Sequence, residues 1–342
     1  MNSRRNFIKA AGLITAASLI NPSSSFAQIP LTDKIKIKPP ALKSGDTVAI
    51  TSPAGAVWDE NQVGIFSNIL KGLGFNVVPG KTLKEKFGYF AGTDEFRANE
   101  INEFFGNKKI KGIFCMKGGW GCARILDKID YELIQKNPKV LIGFSDITAL
   151  LIAITAKTGL VTFHGPVGNS GWNDFTKTIF SNVTMVANPY NFPMNPFNEE
   201  KIVTVNSGIA SGELTGGNLT VLSGIIGSGY LPDWKNKILF LEEAKEEPYS
   251  IDRMLTQLKL AGVLNSISGF VFGKCAKCDA EEPLKAFTFG EVILQHVKPL
   301  GIPAFSGAMI GHIENKLTVP LGIKATIDSD KGIIKLDENA VV

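Results

Sequence analysis

Through the first half of the chain, short apolar segments recur, each closing on a turn and followed by residues at helical spacing. This alternation limits the fold more than any other feature. Thr47–Thr51 reads as a buried strand that ends at Ser52-Pro53-Ala54-Gly55, and Val63, Phe66, Ile69 and Leu70 then fall on one helical face. Phe75–Val78, Gly112–Met116, Val140–Gly143 and Leu160–Phe163 read as further strands. Between them, helices are expected from an N-cap at Thr93 to about Phe105, over Cys122–Ile129 and over Asp146–Thr158. Strands alternating with helices imply a parallel sheet covered on both faces, a Rossmann-like α/β domain over residues 43–170.

The pattern weakens after Pro166. Residues 171–200 are rich in Asn, Pro and aromatics and are expected to be a linker or long loop. From Lys201 to the end, short strands dominate, clearest at Ile238–Leu241 and Gly269–Gly273. Good helical spacing returns only at Ser250–Leu260 and Glu291–Val297. A second domain rich in strands is therefore expected over residues 201–342.

The first 27 residues do not read as part of this fold. Arg4, Arg5 and Lys9 precede an apolar stretch from Ala10 to Ile20, and Ser25-Phe26-Ala27 offers a cleavage site. The string Ser3-Arg4-Arg5-Asn6-Phe7-Ile8-Lys9 resembles a twin-arginine export signal, so a periplasmic address is expected, with residues 28–42 as a leader. The apolar stretch is short for a bilayer span, and no other long uncharged run occurs, so no membrane association is expected once the signal is removed. That removal takes three basic and no acidic residues, and brings the formal charge from +4 to +1. With no basic block in the body of the chain, nucleic acid is not an expected partner. An oxidising compartment permits a disulfide between Cys275 and Cys278, although free thiols remain open. The same pair resembles half a zinc site, but Cys115 and Cys122 lack the spacing of a second half.

Chemistry concentrates where strands end. Val140-Leu141-Ile142-Gly143 runs into Phe144-Ser145-Asp146-Ile147, a strand–turn–helix that lifts Ser145 clear of the sheet at a helix N-terminus. Backbone N–H groups there point at any developing oxyanion. Ile147 stands where a hydrolase elbow has its second glycine, and Ser145 or Asp146 could equally serve as a plain helix cap. The loop Lys117-Gly118-Gly119-Trp120-Gly121 follows the preceding strand, so both loops are expected at one sheet edge, where open α/β sheets bind ligands. The loop lacks a nucleotide-binding pattern. Of three histidines, His296 reads as a helix-surface residue. His164, at a strand end, reads as a substrate contact or packing residue, and the glycine-flanked His312 as the best base. Glu242 and Glu243 close a buried strand. A carboxylate there needs a partner, and alternation sends the two to opposite faces.

These motifs, in this order, resemble the LD-carboxypeptidases of the serine peptidase type, a family that includes the microcin C self-immunity peptidases. The resemblance rests on Gly118-Gly119-Trp120-Gly121 with Arg124, and on Gly143-Phe144-Ser145-Asp146-Ile147-Thr148. It also rests on Leu241-Glu242-Glu243 followed by Tyr249, Asp252 and Arg253, and on Gly311-His312 before Pro320-Leu321-Gly322. It runs from about Lys43 to Ala325. It implies a Ser145–His312–Glu242 triad, oxyanion donors on Asp146 and on Gly118 or Gly119, and a barrel-like second domain. It also implies a homodimer that needs no metal or cofactor. The substrate implied is a muropeptide or other peptide that loses a terminal D-amino acid, with Asn218 or the glycine loop as candidates for holding its carboxylate. Lys117 and Trp120 depart from the family's usual loop, which often carries Arg and Tyr. Two rival readings remain: a related hydrolase acting on an acyl-sulfamoyl nucleotide or another amide, with Trp172 stacking on the base, and a periplasmic binding protein without chemistry.

Overall fold

The computed structural model describes residues 35–193 and 201–342. The export segment 1–27 and residues 28–34 of the leader lie outside the described residues.

The N-terminal strands are β1 (Thr47–Thr51), β2 (Asn76–Pro79), β3 (Ile110–Cys115), β4 (Val140–Gly143) and β5 (Thr162–His164). They pair in parallel in the order β5-β4-β3-β1-β2. β4 is buried along its whole length, as its uncharged sequence requires of a strand covered on both faces. Helix Asn61–Gly72 buries Phe66 and Leu70. Helix Asp94–Gly106 starts at Thr93, whose hydroxyl accepts from the N–H of Phe96. Phe66, Phe114 and Phe180 are fully buried, and they pack edge-on or tilted at 5.6–6.3 Å around Phe114 and Trp172.

The later half builds a seven-stranded mixed sheet. Its members are β6 (Val203–Asn206), β7 (Ile209–Asn218), β8 (Lys237–Ala244), β9 (Gly269–Ala276), β10 (Ala304–Ser306), β12 (Lys324–Asp328) and β13 (Ile333–Leu336). One strand of this half, β11 (Val319–Leu321), crosses over and pairs antiparallel with β5, completing the first sheet. The two sheets meet where β7 ends. Gly217 there has φ +143°, and an added Cβ would lie 2.6 Å from Thr148 Oγ1 on the helix that follows β4. The hydroxyl of Thr148 accepts from the N–H of Asn218 at 3.0 Å. The carboxyl ends of β4 and of β7–β8 thus come to one place.

Two expectations are corrected. Residues 171–200 are not simply a loop: Asp174–Thr184 is a helix, capped by Asn173 and burying Ile179, Phe180 and Val183. The asparagines and prolines crowd its flanks, while the apolar residues inside it keep helical spacing. Residues 194–200 lie outside the described residues. The expected helix over Cys122–Ile129 is a 3-10 helix, Ala123–Lys128, because it is squeezed between the glycine loop and a separate helix, Tyr131–Lys136, capped by Asp130.

Among the described residues, no helix is long and apolar enough to cross a membrane. Cys275 and Cys278 form a disulfide at the end of β9, while Cys115 and Cys122 are free and buried.

Candidate active site

β4 delivers Phe144 in an extended conformation and then Ser145 at φ +63°. A non-glycine residue in the left-handed region costs about 1–2 kcal/mol. The strain is imposed by what surrounds the turn: a short 3-10 segment, Ser145–Ile147, feeds directly into helix Thr148–Thr158. Gly143 is required because a Cβ there would meet Ile147 Cγ2 at 2.7 Å. Ser145 does not cap this helix through its side chain, nor does Asp146. The buried carboxylate of Asp146 instead accepts from the N–H of Cys122 at 2.8 Å and so ties the turn to the glycine loop. Burial raises the Asp146 pKa, against the lowering effect of its bonds from Cys122 and Gly121.

The glycine loop lies directly on the Ser145 turn. A Cβ on Gly118 would sit 2.8 Å from Ser145 Cβ and 3.3 Å from the backbone N of Asp146. Gly119 and Gly121 have φ +122° and +107°. The carbonyl of Gly118 accepts from Gly55 N–H at 3.2 Å. The fully buried Arg97 donates to the carbonyls of Gly121 at 3.0 Å and Pro53 at 2.5 Å, and it pairs with Asp94. Arg97 is thus the anchor of the loop, and nothing in its helical sequence context marks it as such. Arg124 completes this group from outside through its ion pair with Asp94. Trp120 projects from the loop and is exposed.

Across the junction, Glu242 Oε2 lies 2.8 Å from His312 Nδ1. Glu242 is completely buried, whereas the His312 side chain keeps 30% of its exposure. The bond occupies Nδ1, leaving Nε2 for proton transfer. Gly311, at φ +115°, lets the chain press on Glu242, since a Cβ there would lie 2.7 Å from Oε2. Burial opposes ionisation of Glu242, but the hydrogen bond and charge of His312, with smaller help from His164 and Asn218, outweigh it and hold the carboxyl below its usual range. The ring of His312 packs edge-on against Phe144 with centroids 4.8 Å apart, which brings it beside Ser145's own turn. Among the described residues, no hydrogen bond joins Ser145 to His312; in resting enzymes such bonds are often long and tighten on substrate.

Glu243 turns away from this pair. Its Oε1 accepts from Asn218 Nδ2 at 3.0 Å and its Oε2 from the N–H of Thr220 at 2.7 Å. Asn218 is buried, and its Oδ1 accepts from Val221 N–H as the cap of helix Leu219–Gly224. Its amide is therefore committed to Glu243 and the helix, and is a poor holder for a substrate carboxylate. His164 is buried between Phe144 and Phe240, with both ring nitrogens unpartnered, and burial pushes it down to about 4. His296, expected on the surface, is half-buried and bonds Asp252 Oδ1 at 2.7 Å. Trp172 is buried, and its indole N–H donates to Val167 O, so it is not free to stack on a ligand. No group of three or more His, Cys, Asp and Glu able to hold a metal occurs among the described residues.

This arrangement combines a half-buried serine on a strained turn, an imidazole oriented by a buried carboxylate, and a glycine loop lying on that turn, which are the parts of acyl-transfer chemistry. Comparison with known proteins points the same way. Family models described as the LD-carboxypeptidase N-terminal and C-terminal domains match residues 48–165 and 211–327. A "Probable murein peptide carboxypeptidase" of Bacillus subtilis is 36% identical over 86% of this chain and 92% of its own length. The "Microcin C7 self-immunity protein MccF" of Escherichia coli is 32% identical over 87% of this chain and 94% of its own. Among solved structures, MccF in complex with glutamyl sulfamoyl guanosine superposes with a TM-score of 0.83 at 30% identity, covering 89% of this chain and 99% of that one. The muramoyltetrapeptide carboxypeptidase from Oxalobacter formigenes gives a TM-score of 0.74 at 29% identity, over 85% and 97%.

Proposed function

Because the chain belongs to the LD-carboxypeptidase family, we propose that it is an exported serine carboxypeptidase that removes the terminal D-Ala from peptidoglycan stem tetrapeptides. The observation that carries this reading is the Glu242–His312 bond, set beside the strained turn of Ser145. In the proposed reaction, His312 Nε2 takes the proton of Ser145 Oγ as that oxygen attacks the scissile carbonyl. Glu242 fixes the imidazole's tautomer and stabilises its cation. The N–H groups of Asp146 and of Gly118 or Gly119 stabilise the oxyanion; each such donor is typically worth about 2.7–4 kcal/mol. His312 then returns the proton to the departing amine of D-Ala, and water, activated by the same imidazole, releases the tripeptide from Ser145.

The substrate is supported by the murein-directed relatives and by the export signal read in residues 1–27. The likeness to MccF supports a second substrate class, an amide of an acyl-sulfamoyl nucleotide. Trp172 does not support that class, because its ring is buried.

The test is incubation of the purified protein with a panel of muropeptides and an aminoacyl-sulfamoyl nucleotide, read by mass. Loss of one alanine from the tetrapeptide is expected. Ser145→Ala and His312→Ala should each abolish most turnover, and the double variant should be little worse than either, since a catalytic unit is strongly non-additive. Near-normal turnover by Ser145→Ala would refute the mechanism, and cleavage of the nucleotide alone would replace the substrate. Cell fractionation tests the periplasmic address, and sedimentation tests the proposed homodimer.

A further inference from the structure

Lys316 lies four residues beyond His312 and retains only 5% of its exposure. Burying an ammonium is costly, and a lysine in such a place normally has a carboxylate against it. Among the described residues, none lies within ion-pair distance of this one. Its Nζ instead sits 4.7 Å from the centre of the Phe144 ring and 3.2 Å from Ser170 Oγ. Each contact leads to the site. Phe144 precedes Ser145 and carries the His312 ring on its face. Ser170 accepts from Val167 N–H and belongs to the loop after β5, which bonds back to Cys115 and Met116 just before the glycine loop.

We propose that Lys316 is a positioning residue of this active site, a buried cation that holds Phe144, and through it the His312 ring and the Ser145 turn, while its charge favours the ionised form of Glu242. The proposal rests on the reading of Ser145, His312 and Glu242 as the catalytic group. An apolar side chain of similar length would fill the same space without the desolvation cost, and such replacements of buried charges are often neutral or stabilising. A lysine retained for packing alone would therefore be replaceable with no loss of reactivity.

The groups that face the ammonium are Glu242 on β8 and Glu314 on its own loop, with His164 on β5 and His312 nearby. Burial pushes Lys316 down to about 8, although the two glutamates act to raise it. The folded protein thus loses this charge near pH 8, whereas an arginine in its place stays charged.

The experiment follows the rate at which a fluorophosphonate labels Ser145, by intact mass, from pH 5 to 10, in the wild type, Lys316→Met and Lys316→Arg. Melting temperatures are recorded alongside. The wild-type rate should fall above about pH 8. Lys316→Met should melt at or above the wild-type temperature, label about tenfold more slowly or worse at pH 7.5, and show no alkaline fall. Lys316→Arg should recover much of the rate and move the fall to higher pH. A folded Lys316→Met that labels at the wild-type rate with the wild-type pH profile overturns the proposal. If that variant does not fold, an unchanged alkaline limb in Lys316→Arg overturns it instead. Failure of the wild type to label at Ser145 would bring down the catalytic reading and this inference together. A labelled wild type with indifferent Lys316 variants would bring down this inference alone.

Discussion

Gly118→Ala separates catalysis from folding in this protein by one methyl group. The new Cβ would stand 2.8 Å from Ser145 Cβ and 2.9 Å from its Oγ, about 0.6 Å inside the 3.4 Å at which ordinary contact begins. The backbone does not resist the change, since Gly118 is not among the glycines at positive φ. The strain must therefore be relieved by moving either the loop or the serine. Neither moves freely: the loop is held by Gly55 and Arg97, and the serine by the rigid step from β4 into a helix. A displacement approaching 1 Å at a reacting group costs on the order of a hundredfold, and loss of one oxyanion donor costs about 2.7–4 kcal/mol. The expected fall in kcat is thus about 10²- to 10³-fold. Overpacking costs typically about 1–3 kcal/mol of stability, partly offset by the stiffer unfolded chain, so the melting temperature should drop by only a few degrees. Release of D-Ala measured by mass, with a thermal melt of the same sample, reads both. Gly64→Ala, in helix Asn61–Gly72 with open space around its Cβ, is the control and should leave kcat unchanged. A folded Gly118→Ala enzyme with kcat within fivefold of wild type would refute the placement of this loop in the oxyanion site.

Two further outcomes are expected. His164 is held neutral, at about 4 against an ordinary 6.5, so between those pH values the unfolded chain binds a proton that the folded protein does not. Stability should therefore fall by about 3 kcal/mol as pH drops through that window. Urea unfolding at pH 7 and 4.5 should show a smaller difference for His164→Leu than for wild type, and an equal difference would refute the account. Reducing the Cys275–Cys278 bond, which closes a loop with a sequence separation of only 3, should cost about 2 kcal/mol and lower the melting temperature while leaving kcat within twofold. A melt indifferent to reductant, or abolished turnover, would contradict this.

Most strands, several helices and the turn that carries Ser145 were legible in the sequence because each is a local matter, whereas helix Asp174–Thr184 was hidden by the asparagines and prolines that flank it. Val140–Gly143 is uncharged because both faces of its strand are covered, and a serine two residues past its end has to stand at the sheet's edge. The approach of the glycine loop followed from the order of the strands, since adjacent parallel strands present their following loops at the same edge. The pairing of β11 with β5 was not legible, because a three-residue strand carries no mark of which sheet it will join.

Strand alternation by itself determined that Glu242 and Glu243 must part company, but not which would meet His312; Glu242 was named only through the family resemblance. Strand alternation is a local rule, whereas the partner depends on how β8 registers on β9, and that register shifts between Leu241 and Glu243. The tertiary structure decided it by folding Gly311 onto Glu242 and giving Glu243 to Asn218 and Thr220. The same holds for Lys316 and Arg97. As letters they are two of 36 basic residues, indistinguishable from solvated ones. Only packing, which removes water from both, sets Lys316 against the Phe144 ring beside Ser145 and Arg97 against the glycine loop.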